Sequence, residues 1–219
     1  MGTGRGRGRP PAGDPGVVDT ADLLDAALEA FADRGYDGTS VREIARGLGV
    51  SHNLIPQRIG SKEQLWRASV DHGFAQLAAA LAGVAVGPMP GDDLATLRAL
   101  VVRFVEQSGK RPALLRIIQR EAATPGPRFD HLFAYIDPVR VFGGDLLARL
   151  REAGQVRTDS VGLMYFFMTH GAGGPLTLPA IAERFGIGVD PADPDAVHRH
   201  AVAAVDLLFD GLLARPPAT

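Results

Sequence analysis

Residues 40–51, S-V-R-E-I-A-R-G-L-G-V-S, constrain the fold more than any other stretch of the chain. Val41, Ile44, Ala45 and Leu48 recur at helical spacing, and Ser40 and Glu43 have the spacing of a capping box, so a short helix with an apolar inner face is expected. Gly49 and Val50 then form a tight turn, and Ser51 can cap a third helix. Ala45 supplies a small residue where two helices cross, and Gly49 supplies the residue at which the chain reverses, as a helix-turn-helix requires. The preceding segment, T-A-D-L-L-D-A-A-L-E-A-F-A-D-R-G-Y, has the period of an amphipathic helix. Leu23, Leu24, Ala27, Leu28 and Phe31 fall on one face, with Asp22, Asp25, Glu29 and Asp33 elsewhere. Asp19 or Thr20 can cap its start, and Gly35 is expected to end it.

Composition limits what such a head can belong to. With 219 residues, 46% hydrophobic and 22% charged, the chain can bury a substantial core. A net charge of −2 provides no global attraction to polyanions, so any nucleic-acid contact must come from a local basic patch. The absence of cysteine removes thiol catalysis, Cys-ligated zinc and disulfides. No apolar run approaches the roughly 18 residues that a membrane span needs, and the N-terminus lacks the apolar core of a signal peptide, so a cytoplasmic protein is expected. Enzyme signals are equally lacking. His198 and His200 are two apart and point to different sides of a helix, which disfavours a metal site. His170 precedes G-A-G-G-P, which lacks the spacing and the Lys-Ser/Thr of a phosphate loop. No nucleophile, base and oxyanion donor assemble into a catalytic set, and no cofactor is expected.

From L-L-D-A-A-L-E-A-F-A-D-R-G-Y-D-G-T-S-V-R-E-I-A-R-G-L-G-V-S through G-S-K-E-Q-L-W-R-A-S-V, roughly residues 19–70, the sequence resembles the N-terminal domain of TetR-family transcriptional regulators. The alanine-rich first helix, the R-G-Y-x-G-T-S link, the I-A-x-x-L-G-V-S turn and the G-S-K-E opening of the fourth helix all match. The resemblance implies an all-α protein: a three-helix helix-turn-helix head followed by a helical ligand-binding and dimerisation domain. The expected division is a flexible basic arm over 1–16, the DNA-binding domain over 17–62 and the ligand domain over 63–215. It further implies a homodimeric repressor of double-stranded DNA, released from a palindromic operator by a small-molecule effector. An effector-binding or interaction protein of the same fold that has lost DNA binding is the alternative.

That alternative arises at the third helix. In the family it reads close to S-x-G-x-L-Y-x-H-F, with the tyrosine bonding a DNA phosphate. Here Pro56 stands in the tyrosine's place, Arg58 replaces the usual histidine or tyrosine, and Ile59 the phenylalanine. A helix-interior proline lacks a hydrogen-bond donor and crowds the preceding turn, at about 3 kcal/mol, and it biases Ile55 away from the helical region. The helix is therefore expected to be short, tightened or bent. DNA binding on a distorted helix, DNA binding that leans on other contacts, and loss of DNA binding all stay open, and the second is favoured because base-reading side chains remain.

His52, Asn53 and Gln57 lie on the outward side of that helix and can exchange hydrogen bonds with base edges, and Arg58 can pair with guanine. Thr39, Ser40, Arg42, Ser51 and Lys62 are placed to hold phosphates. Arg5, Arg7 and Arg9 lie in a glycine- and proline-rich arm, and residues 7–10 spell R-G-R-P, which resembles the core of the AT-hook, a minor-groove binder. Such an arm could compensate for the missing tyrosine.

The fourth helix begins at Ser61, with Gln64 in capping-box spacing, and buries Leu65, Trp66, Ser69, Val70, Phe74 and Leu77. Helical periodicity bounded by glycine or proline continues from Asp92 or Asp93 to the C-terminus, and Pro138 is expected to kink or divide one helix. In the last helix Ala201, Val202, Val205, Leu208, Phe209 and Leu212 form an apolar face that fits either burial within one subunit or pairing across a two-fold axis; the family resemblance favours pairing. Phe104, Ile118, Phe129, Phe133, Met164, Phe167 and Met168, with the polar Gln119 and His170, are the candidate effector lining.

Overall fold

The computed structural model describes residues 18–85 and 92–213, so Arg5, Arg7, Arg9 and the arm they belong to lie outside the described residues. Eleven α-helices and one π-helical turn make up the described chain, with no strand among them and one isolated bridge between Val156 and Leu213.

Helix α1 (Thr20–Gly38) starts on the Asp19 carboxylate, which accepts from the Ala21 N–H at 3.5 Å. Its apolar face is buried as the periodicity requires: Leu23 and Ala27 are fully enclosed, with Leu28 and Phe31 nearly so. Gly35 breaks the amphipathic helix as expected, its backbone non-helical, and one further turn runs on to Gly38. Its φ of +74° favours glycine, and a Cβ there would meet only the movable end of the Arg120 side chain.

The short helices follow the turn chemistry, but Ser40 makes no side-chain capping bond and the third helix has Asn53, not Ser51, at its N-cap. Helix α2 (Val41–Gly47) buries Ile44 and Ala45, and the chain reverses at Gly49, φ +69°, with the Val50 N–H donating to the Ala45 carbonyl at 3.0 Å. Helix α3 (Leu54–Arg58) has only five residues and seats Ile55 in the core. A reciprocal capping box opens α4 (Lys62–Ala85): the Gln64 N–H donates to Ser61 Oγ at 3.2 Å, and the Ser61 N–H donates to Gln64 Oε1 at 2.8 Å.

Beyond α4 come α5 (Asp93–Lys110), capped by Asp92, and α6 (Pro112–Glu121). Helix α7 (Pro127–Glu152) passes through Pro138 without being divided. Pro138 and Ala134, whose carbonyl loses its partner, are both exposed, so water can satisfy the freed group. Helix α8 (Val161–Phe166) widens into a π-helical turn (Phe167–Ala172), and α9 (Gly174–Thr177) and α10 (Pro179–Arg184) form the crossing to α11 (Pro194–Leu212).

Three apolar clusters hold these elements. One runs from α1, α2 and α3 through α4 and α6 to Leu132 of α7, so the core of the head continues into the body across residues 62 and 63. Trp66, Phe31 and Ile55 are its most enclosed large side chains, and burying each is worth about 1.5–3 kcal/mol. A second joins α5, α7, α8 and α11. It corrects the expectation for α11: Val205, Phe209 and Leu212 are buried in it, and Ala201 is buried in the adjoining third cluster with Val105, all within one subunit.

Candidate functional site

The brevity of α3 explains how it tolerates a proline. Asn53 is its N-cap, so Pro56 sits in the first turn, where a backbone N–H has no intrahelical acceptor to lose. Ser51 starts the segment: its carbonyl accepts from the Leu54 N–H at 2.9 Å, and its hydroxyl accepts from the Asn53 N–H at 3.4 Å. Helical bonding then runs from Gln57 to Asn53 at 3.0 Å and from Ile59 to Ile55 at 2.8 Å. Ile55 is held inside the helix despite preceding a proline, because its side chain is completely enclosed.

The outward face of α3 is polar. His52, Asn53, Pro56, Gln57 and Arg58 are exposed, while Leu54 and Ile59 pack against the core. Arg58 Nη1 donates to the Val18 carbonyl at 2.6 Å, tying the recognition helix to the chain just before α1. Arg42 is exposed on α2 and Ser40 is half-buried, its hydroxyl making no capping bond. Thr39 corrects the sequence reading. It is 3% exposed, and its hydroxyl donates inward to the carbonyls of Ala30 at 3.0 Å and Gly35 at 2.6 Å, so it fixes the α1–α2 corner. Lys62 Nζ donates to the Asp37 carbonyl at 3.3 Å and lies 4.7 Å from the centre of the Tyr36 ring. Sequence reasoning passed over Arg46, which is exposed one turn after Arg42 on the same face of α2. The helical period carried that signal, but the residue reads equally well as a C-terminal dipole partner.

Where α1 meets the body, three acidic side chains one turn apart face three arginines. Arg111, at the α5–α6 junction, donates through Nη1 to both Asp25 oxygens, at 2.7 and 2.9 Å, and to Gln76 Oε1 at 2.5 Å. Arg116 of α6 bridges Glu29 at 2.8 Å and Asp33 at 2.5 Å, and Arg120 reaches the Asp33 carbonyl at 3.5 Å. Partial burial holds the Glu29 carboxyl above the usual carboxylate range, although Arg116 opposes the shift. The Gln76 amide nitrogen lies 2.6 Å from His72 Nε2, and the same ring nitrogen is 3.2 Å from Asp25 Oδ1.

Beside this ladder is a cavity of about 390 Å³ bounded by α1, α4, α5 and α6. Its apolar lining includes Leu28, Leu77, Phe104, Leu114, Leu115 and Ile118; Gln76, Gln107, Ser108 and Arg111 are its polar groups. Of the candidate effector residues only Phe104 and Ile118 reach it. Gln119 donates to the Thr169 carbonyl at 2.7 Å, Phe129 and Phe133 pack on each other, and Met164 and Met168 belong to the α5–α11 core. Phe167 is 57% exposed, and His170 lies outside, against Thr169 and Phe166. Their helical period marked these residues as apolar without indicating which faces meet across the bundle. No group of three or more potential metal ligands and no helix long and apolar enough to cross a membrane occurs among the described residues.

A buried three-helix head with a short, exposed polar third helix, continuous with a helical body, defines a helix-turn-helix protein. The sequence profile described as bacterial regulatory proteins, tetR family, matches residues 23–68. The HTH-type transcriptional repressor Rv3405c of Mycobacterium tuberculosis is 31% identical over 134 residues, 61% of this chain; the match spans 65% of that repressor, less than two thirds of its length. The HTH-type transcriptional repressor KstR2 of the same species is 28% identical over 75% of this chain and 87% of its own. The structure of KstR2 superimposes with a TM-score of 0.71 at 22% identity, covering 92% of this chain and 98% of that one. AibR, solved with isovaleryl coenzyme A and operator DNA, gives a TM-score of 0.64 at 21% identity over 85% and 96% of the two chains. Residues 23–68 thus match the TetR family profile, and the described chain shares the fold of these solved regulators.

Proposed function

We propose that this protein is a homodimeric transcriptional repressor that reads a palindromic operator in double-stranded DNA and is released by a small-molecule effector. The observation that carries the reading is α3: five residues, anchored by Ile55, presenting His52, Asn53 and Gln57 outward beside Arg42 and Arg46 of α2. Two exposed arginines beside amide side chains provide both phosphate attraction and base recognition. Relatives named as repressors, and a structural neighbour seen with both operator DNA and a coenzyme A thioester, support the same reading. The arm adds to it. Arg58 ties Val18 to α3, so α1 is entered beside the recognition helix, and the arm sequence before it carries Arg5, Arg7 and Arg9, residue types suited to phosphates and the minor groove.

The test is selection of bound fragments from genomic DNA by the purified protein, then salt-titrated fluorescence anisotropy on the best fragment. A short palindrome with salt-dependent, submicromolar affinity is expected, and deleting residues 2–10 should flatten the salt dependence, since each phosphate contact contributes to the slope. An unchanged slope rules out the arm's role. No enriched site from a folded dimer sinks the repressor reading and leaves an effector-binding protein of this fold.

A further inference from the structure

The ion pair between Asp25 and Arg111 joins the head to the body at the edge of the cavity, and its two halves are placed differently. Arg111 and Gln76 line the cavity, whereas Asp25 does not. Building on the reading that the protein is a regulator released by a ligand, we propose that the cavity takes an amphipathic carboxylate, whose anionic end binds Arg111 in exchange for Asp25.

Two observations favour an anion with an apolar body. Every hydrogen bond that Arg111's side chain makes among the described residues runs through Nη1, leaving Nε and Nη2 without a protein acceptor. A guanidinium binds a carboxylate best with two nitrogens in parallel, so the pairing with Asp25 leaves its stronger mode unused. Behind Arg111 the walls are apolar, with Leu28, Leu77, Phe104, Leu114 and Ile118 around a volume suited to a small ligand. A neutral ligand would leave the pair intact, and a cation would meet a guanidinium at the entrance.

The exchange supplies a coupling. Asp25 is the first of the three carboxylates by which α1 is held to the α5–α6 side of the body. Ligand and head contact compete for one guanidinium, so occupation of the cavity loosens α1, and whatever fixes α1 on DNA weakens the ligand by the same factor.

Isothermal titration calorimetry on the full chain tests this without DNA, with octanoate and decanoate as probes and octanol and decanol as neutral counterparts. The carboxylates should bind roughly ten-fold or more tightly than the matching alcohols. Asp25→Asn should tighten carboxylate binding several-fold by freeing Arg111. Arg111→Gln should weaken it roughly ten-fold or more and leave alcohol binding unchanged. If the pair only holds the cavity in shape, both variants weaken both ligand classes. That result, equal affinity for acid and alcohol, or no carboxylate binding overturns the proposal. Operator release assayed alongside keeps the two readings apart: a protein that binds an operator but ignores carboxylates sinks only this inference. One that binds carboxylates with the expected variant pattern but has no operator retains the ligand site and loses the repressor function.

Discussion

Pro56 is where residue-scale chemistry bears most directly on function. In a helix interior it would cost about 3 kcal/mol. As the third residue of a five-residue helix it forfeits no intrahelical bond, and its ring is exposed. Pro56→Ala should therefore change the unfolding free energy by less than about 1 kcal/mol, measured by urea denaturation followed through Trp66, the chain's single tryptophan. A gain near the helix-interior figure would mean that α3 extends further back than Asn53. The neighbouring polar residues divide by their contacts. Asn53 has a free side chain on the exposed surface, whereas Arg58 is bonded to the Val18 carbonyl. Asn53→Ala should relax operator preference at one base pair, by about 1–3 kcal/mol of discrimination. Arg58→Ala should lower affinity for all sequences alike, because it releases the root of the arm rather than a base contact. Competition anisotropy against single-base operator variants separates the two, and a position-specific loss in Arg58→Ala would return that residue to base reading.

Among the elements, the contact of α1 with α6 is governed by charge in a partly buried setting. Glu29 has its folded pKa raised by burial, so its protonated form is favoured on folding relative to the unfolded chain. The stabilisation from protonation is complete below the unfolded value, near pH 4, and is lost as pH rises through the higher folded value. At neutral pH the ionised group is a mild liability. Glu29→Gln, which still offers Arg116 an acceptor, should be neutral or stabilising by a few tenths of a kcal/mol because the side chain is half exposed. The difference should vanish in mild acid when thermal melts are repeated across pH; a clear loss of stability at pH 7 would show that the ion pair outweighs desolvation. How much of this was legible in the sequence depends on range. Caps at Asp19, Ser61 and Asp92, and the turn at Gly49, are set by residues two to four apart, so local chemistry suffices to place α1 to α5. Asp25 and Arg111 are 86 residues apart, and nothing in the period of α1 marks Asp25, Glu29 and Asp33 as facing arginines rather than water.

For the whole molecule, the proposed dimer requires a surface that brings two heads onto one operator. The apolar side of α11 is committed to the subunit's own core, while Val139 and Phe142 of α7, Leu163 and Phe166 of α8, Phe167 of the π turn and Leu207 of α11 are all about half exposed or more. Gly143 packs against Val161, and α11 contacts the π turn, so these side chains sit on neighbouring elements. Large exposed apolar patches on soluble proteins mark interaction sites, and a two-fold interface requires one self-complementary patch. Phe166, 61% exposed, gives a clean test because it contributes little to the monomer's core. Phe166→Asp, alone or with Phe142→Asp, should leave thermal stability of the subunit close to wild type and shift sedimentation from dimer to monomer. Operator affinity should fall with it, since two half-sites joined in one particle are bound at a high effective concentration that separate heads lose. Val205→Asp, by contrast, places a charge at a fully enclosed position and should unfold the α5–α11 packing itself. If Phe166→Asp remains a dimer with full operator affinity, the two subunits meet elsewhere, and the exposed faces of α7 and α8 need another partner.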